Sequence, residues 1–158
     1  MKDRYCISFL TVFLMLSSCS RWPDTGNLRI IVTYPEVVFE GGTISWKPVP
    51  AEGASAKLFD KNATCLGFKN ARMGIGHIGD DIVIYKFKQV SDEKGEIIFN
   101  GLPVGEYFLT LTAWDLSKYT EKYIEIIDGK TLELEKNFTE DLQFYEKLEP
   151  WDYEVPPN

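Results

Sequence analysis

The sequence predicts an all-β fold, a sandwich of two sheets, and three observations predict it. Apolar residues recur mostly with period two, the mark of strands that bury one face. Turn signals recur at short intervals, among them Asp128-Gly129 between two alternating runs, a strong hairpin signal because both turn positions need positive φ. No stretch between residues 28 and 138 carries a convincing helical period, so strand–helix–strand units are not expected.

Each strand has its own pattern. Leu28, Ile30, Val32 and Tyr34 alternate with Arg29 and Thr33. Thr43 to Val49 is a shorter candidate, bounded by Pro48 and Pro50, and Ala56 to Phe59 runs into the turn-like Asp60-Lys61-Asn62. Ile82 to Val90 reads as one long strand, with Val83, Tyr85 and Phe87 on one face and Lys86 and Lys88 on the other. Asp92 to Gly95 is a turn, Glu96 to Phe99 a strand, and Asn100 to Gly105 a second turn region. Glu106 to Trp114 places Tyr107, Leu109, Leu111 and Ala113 on one face and Thr110 and Thr112 on the other. Tyr119 to Ile127 and Lys130 to Lys136 flank the Asp128-Gly129 turn. Thr139 to Leu148 suits a short helix, with Thr139 as cap and Glu140 and Asp141 in the first turn. Beyond it, Pro150, Pro156 and Pro157 argue for an irregular acidic, aromatic tail that packs back on the sandwich.

The first residues read differently. Lys2 and Arg4 precede an apolar run of 11 residues, Cys6 to Leu16, followed by Ser17-Ser18-Cys19. Basic flank, short apolar stretch and small residues are the layout of a secretory signal. The run is too short to span a bilayer, which takes about 20 residues. Leu16, Ser17, Ser18 and Cys19 resemble a bacterial lipoprotein signal, the lipobox. The resemblance implies cleavage after residue 18 and lipid on Cys19, which anchors the chain to a cell membrane or outer membrane. Ser20, in place of an Asp, leans toward the outer membrane. The expected organisation is a signal over 1–18, a tether over 19–27, one sandwich over 28–138 and a tail over 139–158.

Composition bounds the rest. The chain has 158 residues and a formal net charge of −7, from 17 basic and 24 acidic residues. Without Lys2, Arg4 and Asp3 the counts are 15 and 23, a net of −8. Such a surface repels phosphate backbones, so nucleic acid is not an expected partner. With Cys6 in the signal and Cys19 modified, Cys65 has no internal disulfide partner and is expected as a small buried side chain.

Gly95, Phe99, Gly101, Leu102, Pro103, Gly105 and Tyr107 lie in the stretch Ser91 to Ala113. That stretch resembles the prealbumin-like sandwiches, of the CnaB, carboxypeptidase-regulatory-like and transthyretin-like kinds. The resemblance implies a seven-stranded sandwich, in which the loop Gly67 to Asp81 is an insertion. CnaB modules often hold a lysine–asparagine isopeptide bond. The first strand here has no Lys, and Thr110 or Thr112 stands where the Glu belongs, so none is expected. Hydroxyisourate hydrolases of this fold need several His, and this chain has one.

Other chemistry is weak. Gly74-Ile75-Gly76-His77-Ile78-Gly79 matches a dinucleotide pattern, but Asp80-Asp81 follows and would repel phosphate, so no nucleotide is expected. His77, Asp80 and Asp81 lack the spacing of a zinc or calcium site, so no metal or other cofactor is expected. No nucleophile elbow is present and no catalytic residue is assigned. The expectation is a membrane-anchored, non-catalytic structural or protein-interaction module, its contact at a sandwich edge or the 67–81 loop. The alternative is a carbohydrate-binding module that stacks sugars on exposed rings among Trp22, Trp46, Trp114, Trp151 and eight Tyr.

Overall fold

A computed structural model describes residues 24–113, 118–138, 147–148, 151 and 153–155. Leu16, Ser17, Ser18, Cys19, Trp22, Trp114 and most of the expected helix over 139–148 lie outside the described residues.

The protein is an all-β sandwich. The first sheet is built on β1 (Thr25–Glu40), which pairs parallel to β10 (Thr131–Asn137) and antiparallel to β2 (Thr43–Pro50) and β7 (Glu96–Pro103); β12 (Tyr153–Val155) extends it beyond β10. The second sheet runs β11 (Lys147–Leu148), β9 (Lys118–Ile126), β8 (Gly105–Ala113), β3 (Ser55–Asp60), β6 (Phe87–Val90). Between β3 and β6 the chain forms α1 (Gly67–Met73) and a hairpin of β4 (Ile75–Ile78) and β5 (Asp81–Ile84).

Alternation places the core. Leu28, Ile30 and Val32 of β1, Ile97 and Phe99 of β7, and Leu132 and Leu134 of β10 face Ala56 and Leu58 of β3 and Tyr107, Leu109 and Leu111 of β8. Fully burying a side chain of this size contributes about 1.5–3 kcal/mol, so this two-sided layer dominates folding. On the outer side of the second sheet, Phe59 and Phe108 stack with ring centroids 6.2 Å apart under Ile78, Val83 and Tyr85. Phe68 and Ala71 of α1 cover Tyr119 beside them.

Several expectations change. Among the described residues the two sheets hold five strands each, not seven in all, because short strands join both edges. Ile82 to Val90 is broken at Tyr85-Lys86 into β5 and β6. The Lys86 N–H turns to the Leu58 carbonyl at 2.7 Å; Val83 and Tyr85 cover the outer cluster and Phe87 meets the main core. The tether gives Thr25, Gly26 and Asn27 to β1. Lys147-Leu148, read as the end of a helix, is a strand parallel to Lys118-Tyr119. Tyr153 to Val155, read as irregular, pairs with Glu133 to Glu135, three residues between prolines being enough for an edge strand. Trp151 packs against the main core.

Candidate functional site

The turn motif builds the end of the sandwich. Gly95 has φ +73°, and a Cβ there would lie 2.2 Å from the Val32 carbonyl oxygen, so only glycine lets the Asp92–Gly95 turn sit against β1. Asp92 Oδ1 accepts the N–H groups of Lys94 and Glu96, at 2.9 Å each, which fixes that turn. Leu102 is buried and Pro103 exposed; the Tyr107 ring is buried and its hydroxyl donates to the Pro103 carbonyl at 2.8 Å. Gly101 and Gly105 take positive φ at either end of this turn, in open space. These residues position strands and present no reactive group to solvent.

The glycine-rich string is not a nucleotide loop. Gly74 caps the C-terminus of α1 in the left-handed region, and the following residues enter the β4–β5 hairpin. A dinucleotide loop needs strand then helix; the order here is helix then strand. His77 exchanges backbone hydrogen bonds with Thr64 at 2.9 Å and stands opposite Ile82. Among the described residues no three His, Cys, Asp or Glu side chains converge as metal ligands. The loop 67–81, read from sequence as an insertion, folds down as α1 and β4 and covers the second sheet.

Under that cover lies a polar row. Across the outer face, Glu121 of β9 stands opposite Thr110 of β8, and Thr110 opposite Lys57 of β3. The Thr110 hydroxyl and Glu121 Oε2 are buried and have no hydrogen-bond partner among the described residues. Burial holds the Glu121 carboxyl above the usual carboxylate range. Cys65 lies nearby, its Sγ 3.4 Å from the Ile75 carbonyl; burial, helped by Glu121, pushes the thiol up to about 11. A thiol so protonated is a poor nucleophile.

The exposed surface has two further features. Beyond Thr33, β1 leaves β10 and pairs among the described residues only with β2, forming a hairpin that ends at Gly41-Gly42. Val37 stands opposite Trp46 and Phe39 opposite Ile44, on the same face as Pro35 and Pro48. Phe39 is 75% exposed, Ile44 61% and Trp46 43%. The other face carries Glu36, Val38, Glu40, Thr43, Ser45 and Lys47, of which Val38 is half-buried. In the body of β1 the even-numbered residues are apolar and buried, and past Tyr34 apolar residues fall on both faces, Val37 and Phe39 on one and Val38 on the other. Sequence reading stopped the strand at Pro35 and missed the hairpin; the apolar, β-branched and aromatic run Val37-Val38-Phe39 beyond Pro35 is the signal for it.

The second feature is a shallow groove of about 420 Å³ lined by Lys61, Asn62, Glu106, Tyr123, Ile124 and Glu125. Tyr123 is 60% exposed, but its ring is held against Phe108, centroids 5.1 Å apart, and its hydroxyl donates to the Ala63 carbonyl at 3.4 Å. Lys61 and Glu106 pair at 2.6 Å across the groove.

No family model and no curated protein matches the chain. The chain is similar in part to solved structures, two of which are as follows. The minor pilin GBS52 of Streptococcus agalactiae is 20% identical with a TM-score of 0.45, over 77% of this chain and 47% of the pilin. The chain thus spans about half the length of that protein. A proposed carbohydrate binding protein of Pseudomonas aeruginosa, PA1324, is 9% identical with a TM-score of 0.32, over 75% of this chain and 90% of that one.

Proposed function

We propose that the chain is a lipoprotein of the bacterial cell envelope, held by lipid on Cys19, that acts without catalysis as a protein-interaction module. The observation that carries this reading is the β1–β2 hairpin. Its partner is an extended segment of another protein that adds to the open edge of β1. Val32 directs its backbone groups to Gly95 and Ala51, whereas the Thr33 carbonyl accepts the Phe138 N–H, so odd-numbered positions face the β10 side. With β10 ended at Asn137, the backbone groups of Val37 and Phe39 face an edge that is unpaired among the described residues. Pro35, which has no N–H, stands on that edge, where none is needed inside the sheet. An added strand would satisfy the edge, and the apolar face beside it would supply specificity. The anchor and the hairpin stand at opposite ends of β1, a strand of 16 residues or about 50 Å, so the hairpin would project away from the membrane.

Capture from envelope extract tests the reading. Wild type should retain a saturable protein partner, and Phe39→Asp/Ile44→Asp should lose it while unfolding at the same denaturant concentration. Equal capture by both would overturn it. Fatty-acid labelling that is lost in Cys19→Ala tests the anchor separately.

A second reading, carbohydrate binding, is favoured by the Tyr123 groove. A pinned, exposed ring flanked by an amide, a lysine and carboxylates suits a sugar, which stacks its apolar face and hydrogen-bonds its rim. Tyr123→Ala should abolish binding on a glycan array if this reading holds; no glycan retained by wild type would end it.

A further inference from the structure

We propose that the outer face of the second sheet carries a binding site for a small molecule bearing an oxyanion, in the pocket lined by Ser55, Lys57, Arg72, Lys88 and Thr112. The site goes beyond the interaction-module reading and is independent of it, since the hairpin belongs to the other sheet.

Sheet alternation makes the pocket. Ala56 and Leu58 of β3 point into the main core, so Ser55 and Lys57 point outward. Lys88 of β6 stands directly opposite Lys57, and Thr112 of β8 directly opposite Ser55. Arg72, from the last turn of α1, and Gly53 close a pocket of about 350 Å³. Lys57 is only 2% exposed.

The charge pattern is out of keeping with the chain. In a protein of net charge −7, the described residues that line this pocket include Lys57, Lys88 and Arg72 and no carboxylate. Among the described residues neither Lys57 nor Lys88 has an ion-pair partner. A buried ammonium without a counterion is costly, and a second ammonium opposite it adds to the cost. Burial and Lys88 together bring Lys57 down to about 8. An anion between the two lysines offsets both costs at once. Ser55 supplies a further donor: its hydroxyl is buried and has no partner among the described residues. The Thr112 hydroxyl, which donates to the Ser55 carbonyl at 3.3 Å, keeps lone pairs toward the pocket and favours a ligand that also carries a hydroxyl. The volume lies at the lower end of small-molecule sites, about 300–1,000 Å³, and leaves room for a body the size of one sugar ring beside the anionic group.

A carboxylate, a phosphate ester and a sulfate ester share this chemistry. Calorimetry on the full chain at pH 7 with glucuronic acid, glucose 6-phosphate, glucose 6-sulfate and neutral glucose separates them. At least one anionic probe should bind saturably and neutral glucose should not. Lys57→Met and Lys88→Gln should each weaken that probe about tenfold or more, the loss expected for one charged hydrogen bond. Lys88 is exposed, so Lys88→Gln keeps the test sound if Lys57→Met disturbs folding. Affinity should fall between pH 7 and 9.5 as Lys57 loses its proton. Among the described residues the other titratable groups around it are Lys88 on β6, Arg72 on α1, Cys65 before α1, Tyr85 after β5 and Glu121 on β9. Saturation by none of the anionic probes, or wild-type affinity in Lys88→Gln, overturns the proposal.

Discussion

The Tyr107 hydroxyl donates to the Pro103 carbonyl 2.8 Å away, so β8 closes the turn from which it springs. The ring is buried against Phe87, with centroids 6.1 Å apart, and the hydroxyl is the one polar handle that a buried tyrosine must satisfy. Burial raises the phenol above its ordinary range, which keeps it a donor at any physiological pH.

Tyr107→Phe leaves the ring packing and removes that bond. The Pro103 carbonyl loses its donor at an exposed residue, where water can replace it. The expected loss is about 1 kcal/mol of unfolding free energy, with an unchanged denaturant slope. Urea unfolding followed by Trp fluorescence measures both. A loss above about 3 kcal/mol would mean that the hydroxyl holds more than this turn.

Gly95 and Gly101 both have positive φ, yet they should respond differently to alanine. At Gly101 nothing lies within 4 Å of the added Cβ, so Gly101→Ala carries only the backbone penalty, about 1–2 kcal/mol. At Gly95 the Cβ meets the Val32 oxygen of β1 at 2.2 Å and the Ala51 nitrogen just past β2 at 3.0 Å, both backbone atoms. Gly95→Ala must therefore break the Val32 N–H to Gly95 carbonyl bond or displace β1. A loss of more than about 3 kcal/mol, or no folded protein, is expected. Equal effects of the two substitutions in thermal unfolding would refute this difference.

Those two glycines mark how far the sequence could be read. The motif from Gly95 to Tyr107 and the alternation of Tyr107, Leu109, Leu111 and Ala113 are local signals, and the sandwich follows from them. The hairpin past Pro35 was hidden because proline ordinarily ends a strand, and only the sheet topology places Pro35 on an edge that is unpaired among the described residues. α1 was hidden because seven residues are too few to display a helical period, and Gly67 and Gly74 at its ends read as loop. Lys57 and Lys88 were hidden for another reason. They lie 31 positions apart, and a register between β3 and β6, not any motif, brings them face to face.

Cys65 should be a slow thiol. Burial holds it near 11, against about 8.5 for a free cysteine. At pH 8 its thiolate fraction is then about a hundredfold or more below that of the unfolded chain. With Cys6 and Cys19 replaced by Ser, iodoacetamide should label the native protein about a hundred times more slowly than the urea-unfolded protein. Equal rates would show that the thiol is neither desolvated nor held toward the Ile75 carbonyl.

The pH dependence of stability should report Lys57. Its folded value of about 8 lies below the roughly 10.4 of an unfolded lysine. Between those values the unfolded chain binds more protons at this site, so its contribution to stability rises with pH. Below pH 8 the buried charge exacts its full cost. Cys65 works the other way: its folded value near 11 lies above the unfolded one, so from about pH 9 to 11 the native state holds the extra proton and stability falls. The rise due to Lys57 should therefore stand out between pH 8 and 9 in wild type and extend to about pH 10 in Cys65→Ala. Lys57→Met keeps the length of the stem and removes the charge. In urea unfolding without added anions it should be more stable than wild type at pH 7, and the gap should close by pH 10. A gap that stays constant across this range would mean that the Lys57 ammonium is solvated in the folded protein.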